Sequence, residues 1–405
     1  MLKSLIFLLL FSAFRIQPIF AQNQALDINA SLAFQSSKSL GLKHGLRRSD
    51  KSKAKYNIKY NSNNSSLLLA LNYDKNNKLT FDDSYLQANS KIATFGVGAI
   101  DRHWSFSDRT SLILSNNARP LKSIYLKLES KSKTNWLPSN ANWSFEIFNG
   151  YTEGASKDKN QMLLGMRAVL SPIEGLNLAL MQASQWGGRN YSNGLSALGA
   201  TLFMDTNDKT HSNINKMAGF GISYLITNKI IPLRVYGQAI GEDEAGNLPS
   251  CYAYLAGVEY SNTKIKYPTT LGIETVDTRV NETTHGNCGP NTFYNNSVYN
   301  YTNYGNILGS EIDTEGSSLE FFGKSQISQK ISIEYSTKAV IINDANWSSH
   351  RLSSDRKSGL INSIGTSWNK NDITLKGNIY YQGFSLDNAK IKSGYGISFF
   401  SSVKF

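Results

Sequence analysis

The chain has 405 residues, 40% hydrophobic and 18% charged, with 31 Gly against only 8 Pro. That excludes a mostly disordered chain and leaves two or three domains or one large all-β unit. Five His and 2 Cys exclude a His/Cys metal cluster and a disulfide-dense framework, and a formal charge of +12 points to acidic partners.

Residues 1–21, MLKSLIFLLLFSAFRIQPIFA, combine a charge at Lys3, an apolar run from Leu5 to Phe14 and a small residue, Ala21, at a cleavage point. This is the pattern of a secretory signal. It leaves 22–405 as the exported part, and removing Lys3 and Arg15 lowers the formal charge by two. No later run reaches the roughly 18 consecutive apolar residues of a spanning helix, so the exported chain is either soluble or a membrane β-barrel. Outside the cytoplasm the surplus of cations suits anionic polysaccharide or lipopolysaccharide phosphate, and nucleic acid is not expected as a partner. A plain solubility surplus would account for the same charge.

The Ser/Lys/Asn-rich stretch 36–64 reads as a long first loop, a plug or a loose periplasmic segment. Beyond it, runs at 66–73, 91–99, 122–130 and 142–149 have strand character. Alternation with period two is clearest toward the end. It runs through Ile331, Ile333, Tyr335, Thr337, Ala339 and Ile341, with Ser332, Glu334, Ser336 and Lys338 between them as the water-facing set. It returns at Ile373, Leu375, Gly377, Ile379 and Tyr381, and again at Tyr395, Ile397, Phe399, Val403 and Phe405. These stretches have the roughly 9 to 11 residues that cross a bilayer as a tilted strand, whereas sandwich strands average about 5 to 6. The aromatic end, Phe405, looks like the C-terminal signal of bacterial outer-membrane barrels.

Connection lengths give an independent test. The connections 150–160, 185–216, 242–251, 277–315, 342–358 and 384–392 are long, while 171–174, 227–231, 261–263, 328–329 and 369–371 between them are short. Segment 131–141 is the exception, long where a turn is due. Outer-membrane barrels segregate lengths in this way, with short periplasmic turns and long extracellular loops. The expectation is an all-β fold, a transmembrane antiparallel β-barrel of 18 strands with 16 as the alternative, with no separate domain and no internal repeat.

Catalytic signatures are missing: no HExxH, GxSxG, phosphate-cradling glycine loop or CxxC. No enzyme and no cofactor are therefore expected. His44, His103, His211, His285 and His350 lie far apart and read as solvated loop residues, although a Ser/His or Asp/His site could be assembled from outer loops. The acidic run Glu242, Asp243, Glu244 would either hold a hard cation or pair with Arg119, Arg189 or Arg234.

Aromatic and planar polar residues concentrate in the outer loops: Trp104, Arg109 and Arg119, then Trp186, Arg189 and Tyr191, then Phe293, Tyr294, Tyr299, Tyr301 and Tyr304. A sugar ring stacks its C–H face on such rings, and its hydroxyls or carboxylates accept bonds from Asn, Gln and Arg. The same residues would serve equally as an interface girdle or as packing for a loop that plugs the barrel. Cys251 and Cys288 fall in adjacent outer loops, where an oxidising compartment permits a bridge; two free thiols are the alternative.

Five segments then carry a family resemblance: SLILSNNARP (111–120), ASQWGG (183–188), MAGFGISY (217–224), VYGQAIGEDEAGNLPS with YLAGVEY (235–260), and FYNNSVYNYTNYGNILGSEIDTEGSSL (293–319). In this order they resemble the Wzi family of capsule-assembly outer-membrane proteins. The resemblance implies an 18-stranded, non-enzymatic barrel in the bacterial outer membrane that binds carbohydrate and holds exported capsular or other surface polysaccharide at the cell surface as a monomer. A porin-like channel for sugars or anions is the second reading, and a barrel hydrolase acting on lipid or protein the third. Two stretches depart from the family pattern. Residues 22–65 are too short for the periplasmic helical bundle that often precedes the barrel, and HWSFSDRT stands where a Gly-Trp-rich stretch is usual. The expected carbohydrate contacts are stacking by Trp104, Trp186 and Tyr299, ionic or polar contacts by Arg119 and Arg189, and orienting hydrogen bonds from Asn116, Asn117, Gln185 and Gln238.

Overall fold

The computed structural model describes residues 25–41, 46–47, 50–74, 78–130, 141–154, 160–203, 213–227, 232–245, 248–280 and 288–405. The signal sequence and His44, His211 and His285 lie outside the described residues.

The first half of the wall is β1 (Ala25–Gln35), β2 (Ser52–Asn61), β3 (Ser65–Asp74), β5 (Tyr85–Asn89), β6 (Ala93–Ala99), β7 (Lys122–Glu129), β8 (Asn142–Tyr151), β9 (Met162–Ile173) and β10 (Leu176–Trp186). The second half is β11 (Asn215–Thr227), β12 (Pro232–Ala245), β13 (Leu248–Asn262), β14 (Thr269–Asp277), β17 (Ser317–Gln326), β18 (Ile331–Ile342), β19 (Lys357–Lys370), β20 (Ile373–Gln382) and β21 (Gly394–Lys404). Each strand pairs antiparallel with its sequence neighbour in the wall. The circuit closes where β1 meets β21, Ala30 opposite Val403. The Phe405 amide donates to the Ile28 carbonyl at 2.9 Å, at the same seam. The result is a closed antiparallel barrel of 18 strands. Closure pairs every edge, which a sheet in hydrocarbon requires.

Among the described residues three short strands lie outside that circuit. β4 (Leu79–Thr80) folds back on the outer end of β3, and β15 (Thr302–Asn303) pairs with β16 (Asn306–Ile307) within the largest loop. Among the described residues one helix, α1 (Leu195–Phe203), occupies the loop after β10.

The strand period sets the two faces of the wall. Leu178 and Leu180 on β10 stand opposite Ile222 and Phe220 on β11, and all four are exposed on the outer face. Between them Ala179 and Met181 are buried toward the lumen. Ile364, Ile379, Ile397 and Phe399 continue the outer apolar belt on β19 to β21. Several luminal aromatics lie across glycines of the neighbouring strand, as Phe148 does over Gly165 and Tyr236 over Gly257, where a Cβ would collide with the ring.

Two expectations are corrected here. Residues 36–64 are not one element: β2 runs through Ser52–Asn61 with a tight turn after it, and before β2 Leu40 joins the buried luminal cluster as a plug would. Nor is 242–251 a long connection, because β12 and β13 continue as a paired ladder to Ala245 and Leu248. There the wall rises beyond the apolar belt and the sequence, GEDEAGN, is polar or small throughout, so the strands lose the alternation that betrays them elsewhere.

Candidate functional site

A barrel of 18 strands encloses a lumen too wide for wall side chains alone to fill. Here the loop 100–121 and the described residues of the loop 278–316 turn inward and pack in its outer half. Leu112, Ile113, Tyr294, Tyr301, Ile307 and Ile312 from the loops form one buried cluster with Tyr125, Phe148, Met181, Tyr236, Leu255 and Val340 from the wall. The Tyr294 and Tyr301 rings stack with centroids 5.6 Å apart, and the Tyr301 hydroxyl donates to the Ile113 carbonyl at 2.7 Å. Burial pushes both phenols well above their ordinary pKa.

Charges pin the loop tips to the wall. The Arg234 guanidinium bonds Glu259 at 2.7 Å and the Phe106 carbonyl at 2.6 Å, Ser107 donates to Glu274, and Arg109 pairs with Glu320. Arg351 grips the buried Asp313 through Nε at 2.9 Å. A bridge between Cys251 on β13 and Cys288 ties the largest loop to the wall, with Cα atoms 5.2 Å apart.

Most of the sugar-contact residues expected from sequence are committed to this packing. Trp104 is 2% exposed, edge-on to Phe148 at 5.5 Å, and its carbonyl accepts from Gln238 Nε2 at 2.7 Å. Gln238 Oε1 in turn accepts the Leu112 amide at 2.9 Å. Asn117 donates to the Ile307 carbonyl at 3.0 Å and Gln185 to the Asn300 carbonyl at 2.9 Å. Tyr299 is fully buried, its hydroxyl donating to the Gly187 carbonyl at 2.7 Å. Trp186 stands on the outer face of the wall, beneath Ala197 and Ala200 of α1, and its indole N–H donates to Asn149 at 3.0 Å. Asn116 is half-buried; Arg189 is exposed at the rim.

Glu242 accepts from Asn215 Nδ2 at 3.4 Å and from the Tyr294 amide, and the side chains of Asp243 and Glu244 lie outside the described residues. A further expectation changes. His103 is half-buried and His350 fully buried, and each ring contacts a backbone carbonyl, Ser107 at 2.7 Å and Thr314 at 3.0 Å, inside the loops.

Of the expected residues, Arg119 lines a large cleft. A cleft of about 1400 Å³ opens at the outer rim where the wall dips between the β3/β4 hairpin and β8. Seven cations line it, Lys38, Arg47, Lys51, Lys53, Lys78, Arg119 and Lys122, against three acids, Asp50, Asp74 and Asp82. Arg119 donates twice to Asp82, both at 2.8 Å, and its guanidinium lies 4.0 Å above the Tyr304 ring. Beneath it the buried Arg47 bonds the Ala118 carbonyl at 2.8 Å and Asp101 at 3.0 Å. Tyr304 is held from the other side: its hydroxyl bonds Glu153, and its backbone lies so close to Gly154 that a Cβ there would come within 2.8 Å of the Tyr304 Cα. Burial and the Glu153 carboxylate push the Tyr304 phenol up to about 12. Arg47, Asp82 and Glu153 had no sequence signal, since each meets its charged partner, Asp101, Arg119 or Lys122, across a long stretch of chain.

A family model described as "Capsule assembly protein Wzi" matches residues 11–389. The chain belongs to the Wzi capsule-assembly family. It is an outer-membrane barrel protein. A segment of 188 residues, 45% of this chain, is 26% identical to an uncharacterised 55.8 kDa protein in the cps region of Klebsiella pneumoniae, and it spans only 37% of that relative. Among solved structures, the Escherichia coli Wzi, described as a carbohydrate-binding β-barrel involved in group 1 capsule assembly, superposes with a TM-score of 0.80 at 20% identity. The match covers 94% of this chain and 84% of that one. OprD of Pseudomonas aeruginosa superposes at 0.56 with 8% identity, over 95% and 94% of the two chains, and so shares the barrel alone.

Proposed function

We propose that this Wzi-family barrel binds a surface polysaccharide at its outer rim and so attaches capsule to the cell, acting as a single-copy, non-enzymatic protein surrounded by outer-membrane lipid. The observation that carries the reading is the cationic rim cleft with Arg119 poised over the exposed Tyr304. An acidic sugar residue would set its carboxylate against the Arg119 side of the cleft and its ring against Tyr304. Arg189 and the neighbouring Tyr191 extend the surface along the rim. Trp104, Trp186, Tyr299, Gln185, Gln238, Asn116 and Asn117 serve it indirectly, by holding the loops that shape the rim. A porin-like reading draws less support, because the loops 100–121 and 278–316 pack into the lumen a channel would use.

Each sugar contact contributes about 1 to 2 kcal/mol, since it replaces a bond to water, and retention of a long polymer comes from many repeats meeting one surface. The test is binding of purified capsular polymer to the folded barrel and to an Arg119→Gln/Arg189→Gln/Tyr304→Ala variant, together with cell-associated capsule in both strains. The variant is expected to lose at least tenfold in polymer binding and to shed capsule into the medium without reduced synthesis. Unchanged binding by a variant that still migrates as a folded barrel on an unheated gel would reject this surface.

A further inference from the structure

The rim cleft is not confined to the mouth of the barrel. By strand register, Val97 stands opposite Ile124, which stands opposite Asn149, and Lys122 stands opposite Tyr151. Exposure places Val97, Ile124 and Tyr151 on the outer face, at 55%, 51% and 53%. Lys53 and Asn72, which line the same cleft, face the lumen. The cleft therefore runs from the barrel mouth over a low stretch of rim and down the outside of the wall. There it meets the apolar belt: Leu79 and Phe81, both more than half exposed, form one side, Val97 and Ile124 the floor, and Tyr151 the other side. Lys122 and Lys78 stand at its outer end, and Lys122 precedes Ile124 by two residues, about 6 to 7 Å along the strand.

We infer that this outer limb of the cleft binds a phosphorylated glycolipid of the outer leaflet, a lipopolysaccharide, with its phosphates on Lys78 and Lys122 and an acyl chain along Val97, Ile124 and Phe81. Two features select that ligand. A soluble acidic saccharide has no use for an apolar floor that continues into the lipid-facing belt, and an ordinary phospholipid carries its phosphate without a saccharide to occupy the wide cationic mouth above. The surrounding membrane supplies the ligand at high local concentration, so a small number of charge contacts suffices to order it. A seated glycolipid would fill the dip in the wall beside Tyr304 and Arg119, extending the rim outward with its own sugars. The inference does not depend on polysaccharide binding by the mouth.

The test uses the full barrel purified in detergent, exchanged against lipopolysaccharide, its deacylated saccharide, its dephosphorylated form, or phosphatidylglycerol, with bound ligand counted by native mass spectrometry. Near one intact lipopolysaccharide per barrel is expected, with at least tenfold weaker retention of each of the other three. Lys78→Glu/Lys122→Glu should lower lipopolysaccharide retention at least tenfold, while Lys390→Glu/Lys392→Glu, an equal charge change in another outer loop, should not. An Ile124→Asn variant that still shows heat-modifiable migration should reduce retention of intact lipopolysaccharide alone. Equal binding of the deacylated saccharide would overturn the inference in favour of a soluble anion site, and equal binding of phosphatidylglycerol would overturn it in favour of unspecific anionic lipid. Equal loss in the Lys390→Glu/Lys392→Glu control would also overturn it. None of these outcomes alters polymer binding by Arg119 and Tyr304, which is measured with soluble polymer on lipid-free barrel.

Discussion

Two regions of this barrel use the same chemistry to opposite ends. In the luminal plug, Arg102 lies 3.8 Å over the Phe148 ring and bonds Glu146 at 2.8 Å, and its side chain is 5% exposed. At the rim, Arg119 lies 4.0 Å over Tyr304 and bonds Asp82 at 2.8 Å, and its side chain is 24% exposed. An arginine, an aromatic ring and a carboxylate make a rigid unit in both places, although the buried Arg102 Nη2 has no hydrogen-bond partner. Burial alone decides whether that unit seals a lumen or faces a ligand. A loop rich in Trp, Tyr, Arg and Asn is therefore no proof of a sugar site in a wide barrel, because a plug needs the same residues to satisfy its backbone while filling space.

Substitutions that separate the two regions test this contrast. The largest effect is expected from Trp104→Ala, which opens a void beneath the first loop beside Phe148 and should cost about 3 to 5 kcal/mol. The midpoint of heat-modifiable migration should fall sharply, and if Trp104 instead contacted polymer, binding would fall while the midpoint stayed unchanged.

Next in size is the Asp313 and Arg351 pair. Burial drives the Asp313 carboxyl upward, and the Arg351 guanidinium more than offsets it, holding the carboxyl below its usual range. A depressed carboxylate contributes stability that is fully present above its unfolded pKa of about 4 and is lost as pH falls through the lower folded value. Acid below about pH 4 should therefore loosen the largest loop before the wall, seen as faster protease cutting within 278–316. Asp313→Asn should reproduce this at neutral pH at a cost of about 3 kcal/mol, because it leaves a buried guanidinium without its counter-charge. A cutting rate independent of pH and of Asp313→Asn would show that the pair does not hold the loop.

A smaller effect should follow reduction of the bridge between Cys251 and Cys288, which closes a segment of 37 residues. Chain-entropy reasoning gives about 4 kcal/mol for such a loop in an unconstrained chain, and the plug contacts of Tyr294, Tyr301 and Arg351 retain part of the order, so about 2 kcal/mol is expected. Reduced and oxidised protein should differ modestly in midpoint and clearly in protease cutting of the largest loop. Identical behaviour would mean that the tether is redundant.

The sequence discloses the wall better than the site, for a physical reason. Lipid on one side forces alternation on every strand that crosses the membrane, which is why the runs at 331–341 and 373–381 and the segregated connections are readable. Where β12 and β13 rise above the lipid that constraint ends, and the ladder from Asp243 to Ser250 reads as loop. The helix α1 escapes notice because its residues, LSALGATLF, lie against the outside of the wall and lack a polar face. For the site, Trp104 and Tyr304 are equivalent in sequence, each an aromatic in an outer loop. What separates them is which ring meets Phe148 in the interior and which meets Arg119 at an opening, and that depends on contacts formed across a long stretch of chain.

The smallest and most selective change is Arg119→Lys. It keeps the charge of the cleft, so long-range attraction of an acidic polymer should be nearly unaffected. It removes the planar fork that bonds Asp82 through both Nε and Nη2, and it removes the guanidinium face from Tyr304. Asp82 retains Arg47 at 3.9 Å, so the carboxylate is not stranded and the plug, anchored elsewhere, should keep its melting midpoint. What changes is the fixed orientation of one cation and one ring at the mouth, which is worth about 1 kcal/mol, or roughly a fivefold loss of affinity per polymer contact. The dissociation rate of bound polymer should rise with little change in the association rate, since the charge remains and the geometry does not. Measured on immobilised barrel with purified capsular polymer, an equal fall in midpoint and affinity would make Arg119 a plug residue like Arg102. A fall in affinity alone would mark the rim as the surface that meets the polymer.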